Sequence, residues 1–143
     1  MSVKQISIFV ENKEGRIKKA IDTLAKQNIN IRALSIADTT KYGILRLIVS
    51  DNEAAIEALK AEKFTVKETD VIVVGIKDEP NGLNTVLEIL EKESINVEYL
   101  YAFVSTKVDE AIVVFKIEDY EAGMKALKDG GATLLSKEDL DEI

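Results

Sequence analysis

The strongest constraint on this chain's fold is that it repeats itself. Displaced by 66 residues, Ile17, Ile21, Leu24, Ile29, Asn30, Ile31 and Leu34 fall on Leu83, Leu87, Leu90, Ile95, Asn96, Val97 and Leu100. Beyond residue 50 the displacement becomes 68, and "DNEAAIEALK" falls on "DYEAGMKALK". The slip of two falls in the hairpin turn, where insertions are tolerated. The matched positions are mostly apolar and periodic, so the two copies share a core design. The 143 residues are enough for two very small domains, expected at 1–70 and 71–143.

The periodicity gives each copy the order βαββαβ. Residues 5–10, "QISIFV", alternate as a strand does, and 11–15 are polar. From Arg16 the period becomes helical, with Ile17, Ala20, Ile21, Leu24 and Ala25 on one stripe and Lys18, Lys19, Asp22 and Lys26 opposite. Strands follow at 31–37 and 44–50 around the turn "DTTKYG". A helix at 51–63 is capped by Asp51 or Asn52, and a fourth strand is expected at 64–69. The second copy restarts with a strand at 71–76 and a helical stripe of Leu83, Val86, Leu87 and Leu90. Strands at 96–104 and 110–117, a helix ending on Gly130 and Gly131, and a strand at 132–135 complete it. Ser136 and Asp139 stand at the spacing of a capping box for a terminal helical turn. The expected class is α+β: two ferredoxin-like repeats, antiparallel sheets with helices on one face.

Such a unit leaves its other sheet face bare unless something covers it. Parity places Leu45, Leu47, Val49, Val113, Phe115 and Ile117 toward the helices, with Leu34, Ile36, Leu100 and Ala102. Ile44, Arg46, Ile48, Ile112, Val114 and Lys116 then share the open face. Tyr99, Tyr101 and Phe103 face outward with them, opposite Ala33, Ser35 and Ala37 of the first copy. An aromatic stripe of that kind marks an interface, here a homodimer, or lines a pocket for a ligand side chain.

Composition removes most chemistry. The chain has no cysteine and no histidine, so thiolate nucleophiles, disulfides, zinc sites and imidazole bases are excluded. No metal or other cofactor is expected. Three arginines, Arg16, Arg32 and Arg46, are all that an acylphosphatase-like anion site has to draw on, and the chain is read as non-catalytic. A net charge of −7 argues against nucleic-acid binding. No apolar run has the length to span a bilayer and the N-terminus lacks a signal peptide's organisation, so the expected location is the cytoplasm, with no membrane partner.

Two junctions carry a resemblance. "ENKEGRI" (11–17) with "INIRALSIADTTKYGILRLIVSD", and "DEPNGL" (78–83) with "INVEYLYAF", are similar to tandem ACT-domain proteins over nearly the whole chain. The common ACT turn is Asp or Asn, any residue, Pro-Gly, any residue, then Leu. Asn12, Gly15 and Ile17 match it, with Glu14 in place of proline. Asp78, Pro80 and Leu83 match in the second copy, where Asn81 replaces glycine and Gly82 follows. The resemblance implies a regulatory module that binds a small molecule, most often an amino acid, near these loops at an interface between paired domains. Its candidate ligand contacts are Asn12, Glu14, Gly15, Arg16, Ile17, Asp78, Pro80, Asn81, Gly82 and Leu83.

Elementary chemistry suits that role. The first turn of a helix offers unpaired N–H groups and a positive dipole end to a carboxylate. Glycine at Gly15 and Gly82 lets a ligand approach the backbone, and Asn12 or Asp78 supplies an acceptor for an ammonium. Glu14 disfavours a carboxylate near the first loop, so the two sites are expected to be unequal. The alternative is a structural or regulatory subunit, similar to the small subunits of acetolactate synthase, that docks on a metabolic enzyme without its own ligand.

Overall fold

The structure is a computed structural model that describes residues 2–38, 41–104 and 110–142. Thr39 and Thr40 of the first expected hairpin turn, and residues 105–109 of the second, lie outside the described residues, and with them the expected place of the two-residue slip. Seven strands and five helices occur among the described residues. The chain divides into two compact units, Lys4–Thr69 and Met1–Val3 with Asp70–Ile143. No helix among the described residues is long and apolar enough to cross a membrane.

The first unit contains β1 (Val3–Glu11), α1 (Arg16–Lys26), β2 (Ile31–Asp38), β3 (Tyr42–Val49), α2 (Asn52–Ala61) and the start of β4 (Thr65–Lys77). β3 lies antiparallel between β2 and β1, with Ile6 and Leu34 both opposite Leu47, and Ile8 and Ile36 both opposite Leu45. Ile6, Ile8, Leu45 and Leu47 meet Ala20 and Leu24 of α1 and Ala55 and Leu59 of α2 in one fully buried cluster. Each large side chain buried there contributes about 1.5–3 kcal/mol.

The second unit takes the rest of β4, then α3 (Gly82–Lys92), β5 (Val97–Ala102), β6 (Glu110–Ile117), α4 (Tyr120–Asp129), β7 (Thr133–Leu135) and α5 (Lys137–Asp141). Its strand order is β5-β6-β4-β7, antiparallel throughout. Ile72, Val74, Val113, Phe115 and Ile117 pack against Val86 and Leu90 of α3 and Leu127 of α4. The α+β class and the helix-side parity of the third strand in each copy are thus as read from the pattern. Ser136 and Asp139 close the expected capping box on α5, whose Leu140 is buried.

Two expectations need correction. The strands expected at 64–69 and 71–76 are one unbroken strand of 13 residues. Nothing between Thr65 and Val74 is glycine or proline. Asp70, which lies between the two expected strands, is an exposed strand residue whose carboxylate accepts from Ser2 Oγ at 3.3 Å. Second, Leu34, Ile36 and Leu100 have the helix-side parity expected of them, yet they are 44%, 44% and 38% exposed, and Ala102 is exposed too. β2 and β5 are the outer strands of their units, and the helix-side clusters touch only their first residues, Ile31 and Val97.

Of the residues assigned to the opposite face, Ile48, Ile112 and Val114 are buried. Tyr101 is buried as well, and Tyr99 and Phe103 are half-buried. The Tyr99 and Tyr101 rings stack with centroids 6.5 Å apart.

All four of the longer helices end alike. A residue with left-handed backbone follows each one: Asn28, Lys63, Ser94 and Gly131, with φ of 57°, 68°, 55° and 82°. The next N–H reaches back five residues: Ile29 to the Leu24 carbonyl at 3.1 Å, Phe64 to Leu59 at 3.0 Å, Ile95 to Leu90 at 3.0 Å and Ala132 to Leu127 at 2.9 Å. This is the Schellman arrangement, and the residue after each left-handed position, Ile29, Phe64, Ile95 or Ala132, belongs to or packs against its unit's core cluster.

Candidate functional site

Helix starts divide into two kinds. α2 and α4 are capped by equivalent aspartates: Asp51 accepts from the Ala54 N–H and Asp119 from the Ala122 N–H, each at 3.1 Å. Both helices also carry a glutamate in the first turn. Asn52, the other expected cap, instead donates to the Lys4 carbonyl and the Glu68 carboxylate, each at 3.0 Å. α1 and α3, which follow the two loops, have no side-chain cap and no acid in the first turn. Arg16 and Gly82 give their own N–H groups to the Lys13 and Glu79 carbonyls, at 3.3 and 3.0 Å, and the next N–H groups and the positive dipole ends are left for something else.

In the first loop the Asn12 N–H donates to the Lys41 carbonyl at 2.9 Å, and the Lys13 N–H to the Glu11 carbonyl at 2.8 Å. Gly15, not Asn12, occupies the cap position, with φ of 83°. A Cβ built on Gly15 meets nothing within 4 Å, so the backbone here is open to close approach. Asn12, Lys13, Glu14 and Gly15 are exposed. Ile17, expected on the buried stripe, is 43% exposed because it lies a turn before Ala20 and Leu24, where the core begins.

Arg16, the first residue of α1, lays its guanidinium over Phe64, 4.9 Å from the ring centroid, a cation–π contact. Its Nε is buried and has no hydrogen-bond partner among the described residues. A buried, unpaired donor is expensive to keep, and a guanidinium matches the fork of a carboxylate. The sequence pattern gives Phe64 no role at the site. By its pattern Phe64 opens the fourth strand expected at 64–69, whereas β4 begins at Thr65.

The second loop is built differently. The Glu79 N–H donates to the Lys77 carbonyl at 2.8 Å and the Gly82 N–H to the Glu79 carbonyl at 3.0 Å. Asn81 turns its side chain along the helix: its Oδ1 accepts from Asn84 Nδ2 at 3.1 Å and its Nδ2 donates to Thr85 Oγ1 at 3.3 Å. Gly82 sits against the Lys77 carbonyl, in the space a Cβ would need, with Ile76 Cγ2 also in the way. Close approach at Gly82 is therefore made by the protein's own backbone. Asp78, Pro80 and Asn81 are exposed, and Leu83 is 37% exposed.

The titrating groups with clear perturbation lie elsewhere. Lys26 and Lys18 hold the Asp22 carboxyl below its ordinary value, and Lys125 does the same for Asp129, which in turn raises Lys125. These are exposed pairs along one helix face. The Ser136 backbone N–H, then its side chain, lowers Asp139. Among the described residues no group of three or more acidic side chains is placed to hold a metal ion.

Residues 1–143 match the family model described as an ACT domain pair. A crystal structure of a protein from Bacteroides thetaiotaomicron is similar at 40% identity with a TM-score of 0.92, over 100% of this chain and 98% of that one. The fold is shared with regulatory subunits of aspartate kinase. The Thermus thermophilus subunit, in a ligand-free form, gives 17% identity and a TM-score of 0.62, over 92% of this chain and 94% of that one. The Thermus flavus subunit gives 18% and 0.60, over 91% and 93%. No curated protein matches the chain.

Proposed function

From the premise that this chain belongs to the ACT domain-pair family, we propose that it is a non-catalytic regulatory module of the cytoplasm, with repeats at 1–70 and 71–143, that binds a free amino acid at its first strand-to-helix loop. The observation that carries this reading is the start of α1. It is uncapped, it follows the open Gly15, and it begins with the unpaired Nε of Arg16. The ligand carboxylate meets the first-turn N–H groups and Arg16. Its ammonium meets the exposed Asn12 and Glu14, so that Glu14, expected to disfavour a carboxylate at this loop, faces the ligand's positive end instead. Exposed Ile17 offers apolar contact to the ligand side chain. At the second loop, Asp78, Pro80, Asn81 and Leu83 surround a Gly82 already backed by Lys77, so that loop is the weaker candidate.

The test is a thermal-shift panel of the twenty amino acids on the wild type and on Arg16→Gln. One amino acid should raise the melting temperature of the wild type, because a ligand at about 100 times its Kd stabilises a fold by about 2.7 kcal/mol. It should saturate at one per chain, and the shift should vanish in Arg16→Gln. A flat panel at millimolar concentration overturns the reading. Saturation at two per chain overturns the assignment to one loop.

The same module is proposed to form a homodimer. The outer edge of β2 has no neighbouring strand among the described residues, and Leu34 and Ile36 stand exposed beside it. An apolar edge of this kind invites strand pairing. Gel filtration of Leu34→Lys checks it, with an unchanged dimer counting against this edge. The exposed Leu34, Ile36 and Leu100 also favour a second reading, a subunit that docks on a metabolic enzyme. Co-purification with an enzyme in the absence of any amino acid would support that one instead.

A further inference from the structure

We draw no further inference here: the strongest candidate, the groove of about 500 Å³ between α3 and α4 with Ile89, Ala122, Ala126 and Gly130 along its floor, carries rim charges of both signs, and nothing in the structure shows what covers it.

Discussion

The four left-handed helix ends allow one energy to be measured in two directions within one molecule. Gly131 occupies its position as glycine does, and a Cβ there meets nothing within 4 Å. Gly131→Ala therefore introduces no clash, only the left-handed penalty of about 1–2 kcal/mol for a residue with a side chain. Reduced freedom of the unfolded chain returns about 0.4–1 kcal/mol. The net expectation is a loss of about 1 kcal/mol. Lys63 occupies the equivalent place after α2 with φ of 68° and an exposed side chain. Lys63→Gly reverses the same terms and should gain up to about 1 kcal/mol. Urea unfolding reads both. With a slope of about 1–3 kcal/mol per molar, the midpoints should move by roughly 0.3–1 M in opposite directions at unchanged slope. If Gly131→Ala is neutral, or if the two variants move together, backbone strain is not what separates these positions and the reasoning fails.

Other outcomes follow from the same geometry. Asp51→Ala and Asp119→Ala should each lose about 1 kcal/mol, and a large inequality in denaturant melts would show that the equivalent caps are not energetically equivalent. Gly82→Ala should lose about 3 kcal/mol, the upper end of overpacking, because its Cβ meets the Lys77 backbone carbonyl, against about 1 kcal/mol for Gly15→Ala, whose Cβ enters open space but whose φ of 83° carries the left-handed penalty. Equal losses would refute the contrast between the loops. The lowered carboxyls of Asp22, Asp129 and Asp139 bind protons less readily in the folded chain than in the unfolded one. Their stabilisation is present above the ordinary value of 3.8 and is lost as pH falls through the lowered folded values. Asp139→Asn should flatten this acid limb in a pH series of melts, and an unchanged limb would remove Asp139 from the account.

Much of the fold was legible because apolar periodicity and caps are local signals. The repeat, the helix-side parity of Leu45 and Phe115, and the Ser136–Asp139 box needed no tertiary information. The unbroken β4 did not show, because a polar Asp70 between two β-branched runs looks the same at a turn as on an exposed strand. The exposure of Leu34 and Leu100 did not show either, since parity gives the face of a strand but not how far the helices extend over it. At the loops, the sequence located both helix starts. It could not distinguish the open Gly15 from the wedged Gly82, because that difference lies in what stands beside the missing Cβ. Nor could it show Arg16 over Phe64, a contact between residues 48 positions apart by the numbering.

The wedge at Gly82 also bears on how the two halves can change. Under the displacement of 66, Gly82 holds the place of Arg16. A cation at 82 costs more than one at 16, since the first atom of any side chain there meets the Lys77 carbonyl. The two copies are therefore constrained differently: position 82 is tied to glycine by the turn behind it, while residue 16 can change its charge one substitution at a time without that cost.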